Sequence, residues 1–292
     1  MHGGFEFSKL IEYFALFGEG ATFESSHPSQ DLSGCFFDTE VSSLDPPMKI
    51  IPTVFRITIS LMPVLFSPHA ASGNDRPGKV PLFFEEFVAG NALQIGASSQ
   101  LILATNTDAA SSLVTVYLLE KDRRAWKLIS SPFSATIGEK GFAFMDKKRE
   151  GDGKSPTGIF PLGTAFGYAH SVPTKMPYRQ ATDNDFWVDD VHSDDYNKWI
   201  NRRSGTTSVE KMKREDDLYK YGVVIEYNMN PIVRGKGSAI FLHVWRGEGK
   251  PTLGCVAMAE DNILRLLGWL DPGKRPLIIM GTESELRSIG SR

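Results

Sequence analysis

The sequence holds only two cysteines, Cys35 and Cys255, and six histidines in 292 residues. No C-x-x-C or H-E-x-x-H spacing occurs, and beyond Ser72 the histidines are His170, His192 and His243 alone. Ligands so few and so scattered argue against zinc, and the sequence predicts no metal and no other cofactor. A large excess of either charge is lacking as well. A formal net charge of -3 lacks the basic footprint of a nucleic-acid binder. Gly151-Asp-Gly-Lys154 lacks the full G-x-x-x-x-G-K-[ST] spacing, so a nucleotide site is not expected. Internal repeats and low-complexity tracts are missing too.

What is present is ordinary globular composition, 41% hydrophobic and 23% charged, which argues against wholesale disorder. Residues 49–72 run from a base, Lys49, through a mostly apolar stretch to small residues ending at Ser72. That order is the order of a secretory signal peptide. Met48 precedes it, so 1–47 reads as an extension outside the natural start and 48–72 as the signal. Arg56, Pro52 and Pro63 interrupt the stretch, which falls short of the roughly 20 residues a membrane span prefers. Cleavage therefore leaves no stable membrane insertion. Residues 73–98 read as linker and lead-in, 99–283 as the catalytic body and 284–292 as a tail. The part after the signal is near neutral, because eight acids but only three bases precede Ser72. With the front removed, Cys255 is a lone thiol with no internal disulfide partner. It is then either buried and inert or reactive.

The body reads as short strands. Gln100–Thr105, Leu113–Leu119 and Trp126–Ser130 are apolar or β-branched, with a polar turn at Asp122–Ala125. Gly151–Gly158 is a loop, and strand pattern returns at Ile159–Leu162, Val223–Tyr227, Ala239–Trp245 and Pro276–Met280. Residues 168–221 are aromatic and charged and read as an inserted cap, with a helix expected over Asp194–Arg203. A second helix is expected over Glu260–Leu270, where Ile263, Leu266, Leu267 and Leu270 share a face and Asp271-Pro272-Gly273 ends it. Fold class is mostly β (α+β), a mixed sheet with short helices and a cap.

On the strand around His243, alternation puts Phe241, His243 and Trp245 on one face. Ile240, Leu242 and Val244 take the other, which should be core. A glycine-rich loop, Arg246–Gly254, then leads to Cys255 and can place the thiol beside the histidine strand. An imidazole next to a thiol generates thiolate by taking its proton. Gly254 suits a tight turn near an oxyanion. The chemistry suggested is acyl transfer through a thioester, with Cys255 as nucleophile and His243 as base. The group that orients the imidazole is either a backbone carbonyl or a residue distant in sequence. Arg246 and Lys250 either bind a substrate carboxylate or are solvated loop charges. Asp189 and Asp190 read as surface carboxylates. Trp187, Tyr196 and Trp199 either line a groove or pack within the cap.

Ile240-Phe-Leu-His243, the glycine-rich loop and Thr252-Leu-Gly-Cys255 followed by Val-Ala-Met258 resemble the signature of the YkuD-type L,D-transpeptidase catalytic domain. Lys154-Ser-Pro-Thr-Gly-Ile-Phe160 looks like that family's second recurrent element. The resemblance runs from about Gln100 to Gly281. It implies a YkuD-like β-sandwich or mixed sheet acting on bacterial peptidoglycan stem peptides, as an exported, monomeric enzyme of the periplasm or cell envelope. Cys255 matches the nucleophile and His243 the base; Gly254 and Thr252 match the turn around the oxyanion, and Arg246 is the candidate substrate contact. Release of D-alanine and attack by a neighbouring side-chain amine would give a 3→3 cross-link. Leu253, Ala257 and Val244 stand where many members carry histidine, arginine and a small residue. The alternative is a thiol hydrolase, a carboxypeptidase or amidase, in which water resolves the same thioester. A binding module with a dead site is disfavoured by the intact Cys255 and His243.

Overall fold

In the computed structural model the described residues are 79–202 and 205–290. The expectations for an N-terminal extension and a signal peptide, with Cys35, lie outside them.

Two strands show how the sheet is covered on both sides. Strand β1 (Gln100–Asn106) is buried almost throughout. Its Ile102 and Ala104 face the main core, while Leu101 and Leu103 face a second cluster. That second cluster is built on helix α1 (Phe83–Gly90), whose Phe83, Phe84 and Phe87 are buried, and on Ile95 of α2 (Ala92–Ile95). The stretch expected to be a lead-in thus carries a helix packed on the sheet. Strand β2 (Leu113–Asp122) alternates, with Val114, Val116 and Leu118 turned into the main core. Arg123 in the left-handed region turns the chain into β3 (Ala125–Leu128). Next come β4 (Phe133–Thr136), the short parallel pair β5 (Phe142–Ala143) and β6 (Ser155–Pro156), and the long β7 (Gly158–Gly167).

The inserted segment carries β8 (Tyr178–Gln180), which pairs with β7, and a separate three-stranded sheet. In that sheet β9 (Asp185–Val188) lies between β10 (Trp199–Asn201) and β11 (Val209–Lys211). The helix expected over Asp194–Arg203 does not form. Turns run to Asn197, which adopts φ +57°, and the chain then extends so that Trp199 pairs with Trp187. The Asn197 side chain accepts from Trp187 Nε1 at 2.9 Å and donates to the carbonyls of Tyr227 and Asn228. Tertiary pairing of the aromatics overrides the local helical spacing.

The main sheet resumes with β12 (Tyr221–Ile225), β13 (Phe241–Val244) and β14 (Val256–Met258). Helix α3 (Glu260–Trp269) follows and adds Ile263, Leu266 and Leu267, with Leu270 just after it, to the main core. Strand β15 (Leu277–Thr282) and helix α4 (Glu283–Gly290) complete the described chain, and Leu286 and Ile289 of α4 join the α1 cluster. The strand path is β1-β15-β7-β12-β13-β14-β4-β2, and β2 pairs back with β1, so eight strands close a ring. Two of its pairings, β1–β15 and β13–β14, are parallel. The mostly β, mixed-sheet architecture expected from the sequence is the one observed. Among the described residues no helix is long and apolar enough to cross a membrane.

Candidate active site

The parallel β13–β14 pair sets the site. Leu242 is opposite Val256 and His243 opposite Ala257, so Cys255 precedes β14 opposite Phe241. Leu242 and Val256 point into the core. Alternation then turns Phe241, His243 and Cys255 to the outer side, towards the inserted sheet. Both reactive side chains are buried, His243 5% and Cys255 7% exposed, and both line a cavity of about 450 Å³.

The turn that delivers the sulfur is fixed by two hydroxyls. Thr252 Oγ1 accepts from Gly254 N–H at 3.1 Å and donates to the Cys255 carbonyl at 2.7 Å. Ser155 Oγ, fully buried, donates to the Gly254 carbonyl at 2.6 Å and accepts from Gly138 N–H at 3.0 Å. Gly254 adopts φ +156°, and a Cβ there would sit 3.0 Å from Ile240 Cδ1 and 3.1 Å from the Lys154 carbonyl oxygen. Gly254 therefore shapes the turn, while its own N–H is committed to Thr252.

The thiol and the imidazole are held apart from each other by backbone groups. Cys255 Sγ accepts from Phe241 N–H at 3.4 Å and donates to the Ala239 carbonyl at 3.2 Å. No hydrogen bond joins it to the imidazole. His243 Nδ1 lies 2.7 Å from the Val244 carbonyl. A carbonyl only accepts, so Nδ1 carries the hydrogen, and in the neutral ring Nε2 keeps the lone pair that a base needs. The orienting group is thus a backbone carbonyl. Burial pushes the Cys255 thiol up to about 12, and the Glu210 carboxylate adds to the rise. Burial likewise pushes His243 down to about 4. Both shifts favour the uncharged forms, a thiol and an imidazole, at neutral pH.

The sequence model of the YkuD family, the L,D-transpeptidase catalytic domain, matches residues 107–279. The chain belongs to the YkuD family. No curated protein and no solved structure matches it significantly. YkuD domains act on peptidoglycan peptides, and the chain carries L,D-transpeptidase-type activity in general terms.

Within this YkuD domain the insert forms one wall of the cavity through Asp189, Glu210, Arg214, Leu218 and Tyr219. The Tyr219 ring stands edge-on to His243, with centroids 5.1 Å apart, and its hydroxyl donates to Glu210 Oε1 at 2.8 Å. Arg214 donates to the same oxygen at 2.8 Å and grips Asp216 with two further bonds. Desolvation raises the Glu210 carboxyl above its ordinary range. Asp189 and Asp190 are not the surface carboxylates expected from the sequence. Asp190 is 8% exposed and accepts from the Thr207 N–H and hydroxyl and from His192 N–H, while Asp189 faces the cavity. Short polar turns after β9 fold these carboxylates back under the cap. Trp187 and Tyr196 are buried and Trp199 packs against Phe166, so these aromatics build the cap.

Arg246 and Lys250 also line the cavity; Arg246 is 65% exposed and stands 3.7 Å from Asp216 of the insert. Leu253 is 77% exposed at the rim, and Ala257 is buried. The sequence reading missed Tyr219, Glu210 and the role of Ser155. Ser155 belonged to a motif already singled out; Tyr219 and Glu210 carried no motif. Among the described residues no group of three or more His, Cys, Asp or Glu side chains is arranged to hold a metal ion.

Proposed function

We propose that the protein is an exported L,D-transpeptidase in which Cys255 attacks the bond between the third residue and the terminal D-alanine of a stem peptide. Sγ forms the new bond to the carbonyl carbon as Nε2 of His243 takes its proton. That proton passes to the departing D-alanine amine, leaving a tripeptide thioester. A side-chain amine of a second stem then displaces the sulfur and makes a 3→3 cross-link. The observation that supports this most is the shared burial of Cys255 and His243 on one wall of the 450 Å³ cavity, with Nδ1 already committed to a carbonyl. Thr252 and Gly254 shape the turn at the oxyanion side, and Arg246 with Lys250 gives the donor peptide's carboxylate a cationic side. Export rests on the 48–72 segment, and the species acting in the envelope is taken to be a monomer.

Incubation of the purified protein with disaccharide-tetrapeptides tests the reading. Cross-linked dimers, read by mass spectrometry, are the expected product, and tripeptide alone would assign hydrolysis instead. Cys255→Ala should abolish both products and any acyl adduct; turnover by that variant would sink the nucleophile assignment.

A further inference from the structure

Of the five tryptophans, four are accounted for by the fold. Trp126 packs edge-on to Phe84, and the indole N–H groups of Trp187, Trp199 and Trp269 donate to Asn197, Asp185 and Glu120. Trp245 is the exception. It is half-buried and joins none of the hydrophobic clusters, and its ring and its N–H have no partner among the described residues. An indole with no ring partner and a free donor is suited to anchor a ligand. Trp245 lines a separate cavity of about 260 Å³ together with Leu113, Thr115, Ser134, Glu248 and Gly249. The Thr115 and Ser134 hydroxyls, opposite one another on β2 and β4, and the Glu248 carboxylate likewise have no partner among the described residues. The volume falls below the roughly 300–1,000 Å³ of a pocket for a drug-sized ligand, so the cavity suits about one small ring.

Trp245 follows His243 by two residues on the same outer side of the sheet, a step of about 7 Å. The loop after it serves both cavities, Glu248 and Gly249 lining this one and Arg246 and Lys250 the Cys255 cavity. We propose that the Trp245 cavity is a glycan subsite, which takes one N-acetylated sugar ring of the strand that carries the donor stem peptide. The proposal rests on the stem-peptide reading above. A pyranose ring presents C–H groups on its faces and hydroxyl and amide groups around its rim. The Trp245 indole suits the faces, and Thr115, Ser134, Glu248 and the indole N–H suit the rim. An anionic ligand is disfavoured, because it would meet Glu248 and no lining cation. Three extended residues span about 10 Å, which covers the step from Trp245 to the His243 row. A stem tethered to a sugar in this cavity can thus bring its third residue towards Cys255. The subsite selects stems still attached to glycan over free peptides.

The test uses the full chain and two donors, a disaccharide-tetrapeptide and the same tetrapeptide without sugar. The wild-type protein should prefer the sugar-bearing donor by about tenfold or more in kcat/KM, with the difference carried by KM. Trp245→Ala should reduce that preference to less than about twofold, and Glu248→Ala, in an exposed loop, should lower it by about threefold or more. A wild-type protein without the preference overturns the subsite. So does an equal fall on both donors in both variants, which would assign the cavity to the peptide or to the stability of the fold. Calorimetric binding of short peptide-free glycan strands to the Cys255→Ala protein separates the subsite from the chemistry. Adding Trp245→Ala should weaken that binding by about tenfold or more. Equal binding with and without Trp245 overturns the subsite. Trp245-dependent glycan binding by a wild-type protein that turns over neither donor would instead sink the stem-peptide reading and leave the subsite standing.

Discussion

A resting pair that is neutral reacts differently from an ion pair, and alkylation of Cys255 distinguishes them. Raising the thiol from 9.0 to about 12 makes thiolate about 10³-fold scarcer at pH 7 than for an ordinary cysteine. The rate with a small haloacetamide should therefore be slow at pH 7 and climb about tenfold per pH unit, still rising beyond pH 9, where an ordinary thiol levels off. Because Sγ is bonded to Phe241 and Ala239 and not to the imidazole, His243→Ala should barely change this profile. The same variant should lose turnover by a factor on the order of 10² or more, since the base is needed once substrate is present. The assay is alkylation followed by intact mass across pH, set beside transpeptidation rates. A plateau below pH 8 that disappears in His243→Ala would show a resting thiolate–imidazolium pair and refute the reasoning.

Two further outcomes follow from the same geometry. Ser155→Ala removes the bond to the Gly254 carbonyl and leaves that oxygen and Gly138 N–H buried without their partner; it should cost about 2–4 kcal/mol in denaturant unfolding and slow acylation, whereas Ser155→Thr should be milder. His243, held near 4 when folded against 6.5 when unfolded, takes up its proton in the unfolded chain first; stability should be full above about pH 6.5 and fall by about 3 kcal/mol on the way to pH 4, and equal slopes for wild type and His243→Gln would contradict this.

The placement of Cys255 beside the His243 strand was legible because its signals are local. A strand places His243 by simple alternation, and a glycine turn three residues past Pro251 places Cys255. The second motif was visible but its purpose was not, because Ser155 acts on Gly254, 99 residues away. Tyr219 and Glu210 come from the insert and reach the site only after its three strands pair, so no spacing announces them. The expected helix over Asp194–Arg203 failed for the same reason, since Trp199 finds Trp187 across a strand pair. At the other end, Phe83, Phe84 and Phe87 were set aside in a lead-in, although their burial against β1 is what covers the back of the sheet.

The insert grows from between two strands that are already hydrogen-bonded neighbours. Gly167 at the end of β7 is paired with Tyr221 at the start of β12, and the ring of eight strands closes without the intervening sheet. The cap is in effect a graft on a hairpin. The thiol, the imidazole and the turn that carries them belong to the rootstock, whereas Asp189, Glu210 and Tyr219 arrive with the graft. Such a division lets one part change its choice of partner molecule while the other keeps its chemistry. Exchanging the segment between Gly167 and Tyr221 is therefore a route to a differently lined cavity that leaves the sulfur where it is.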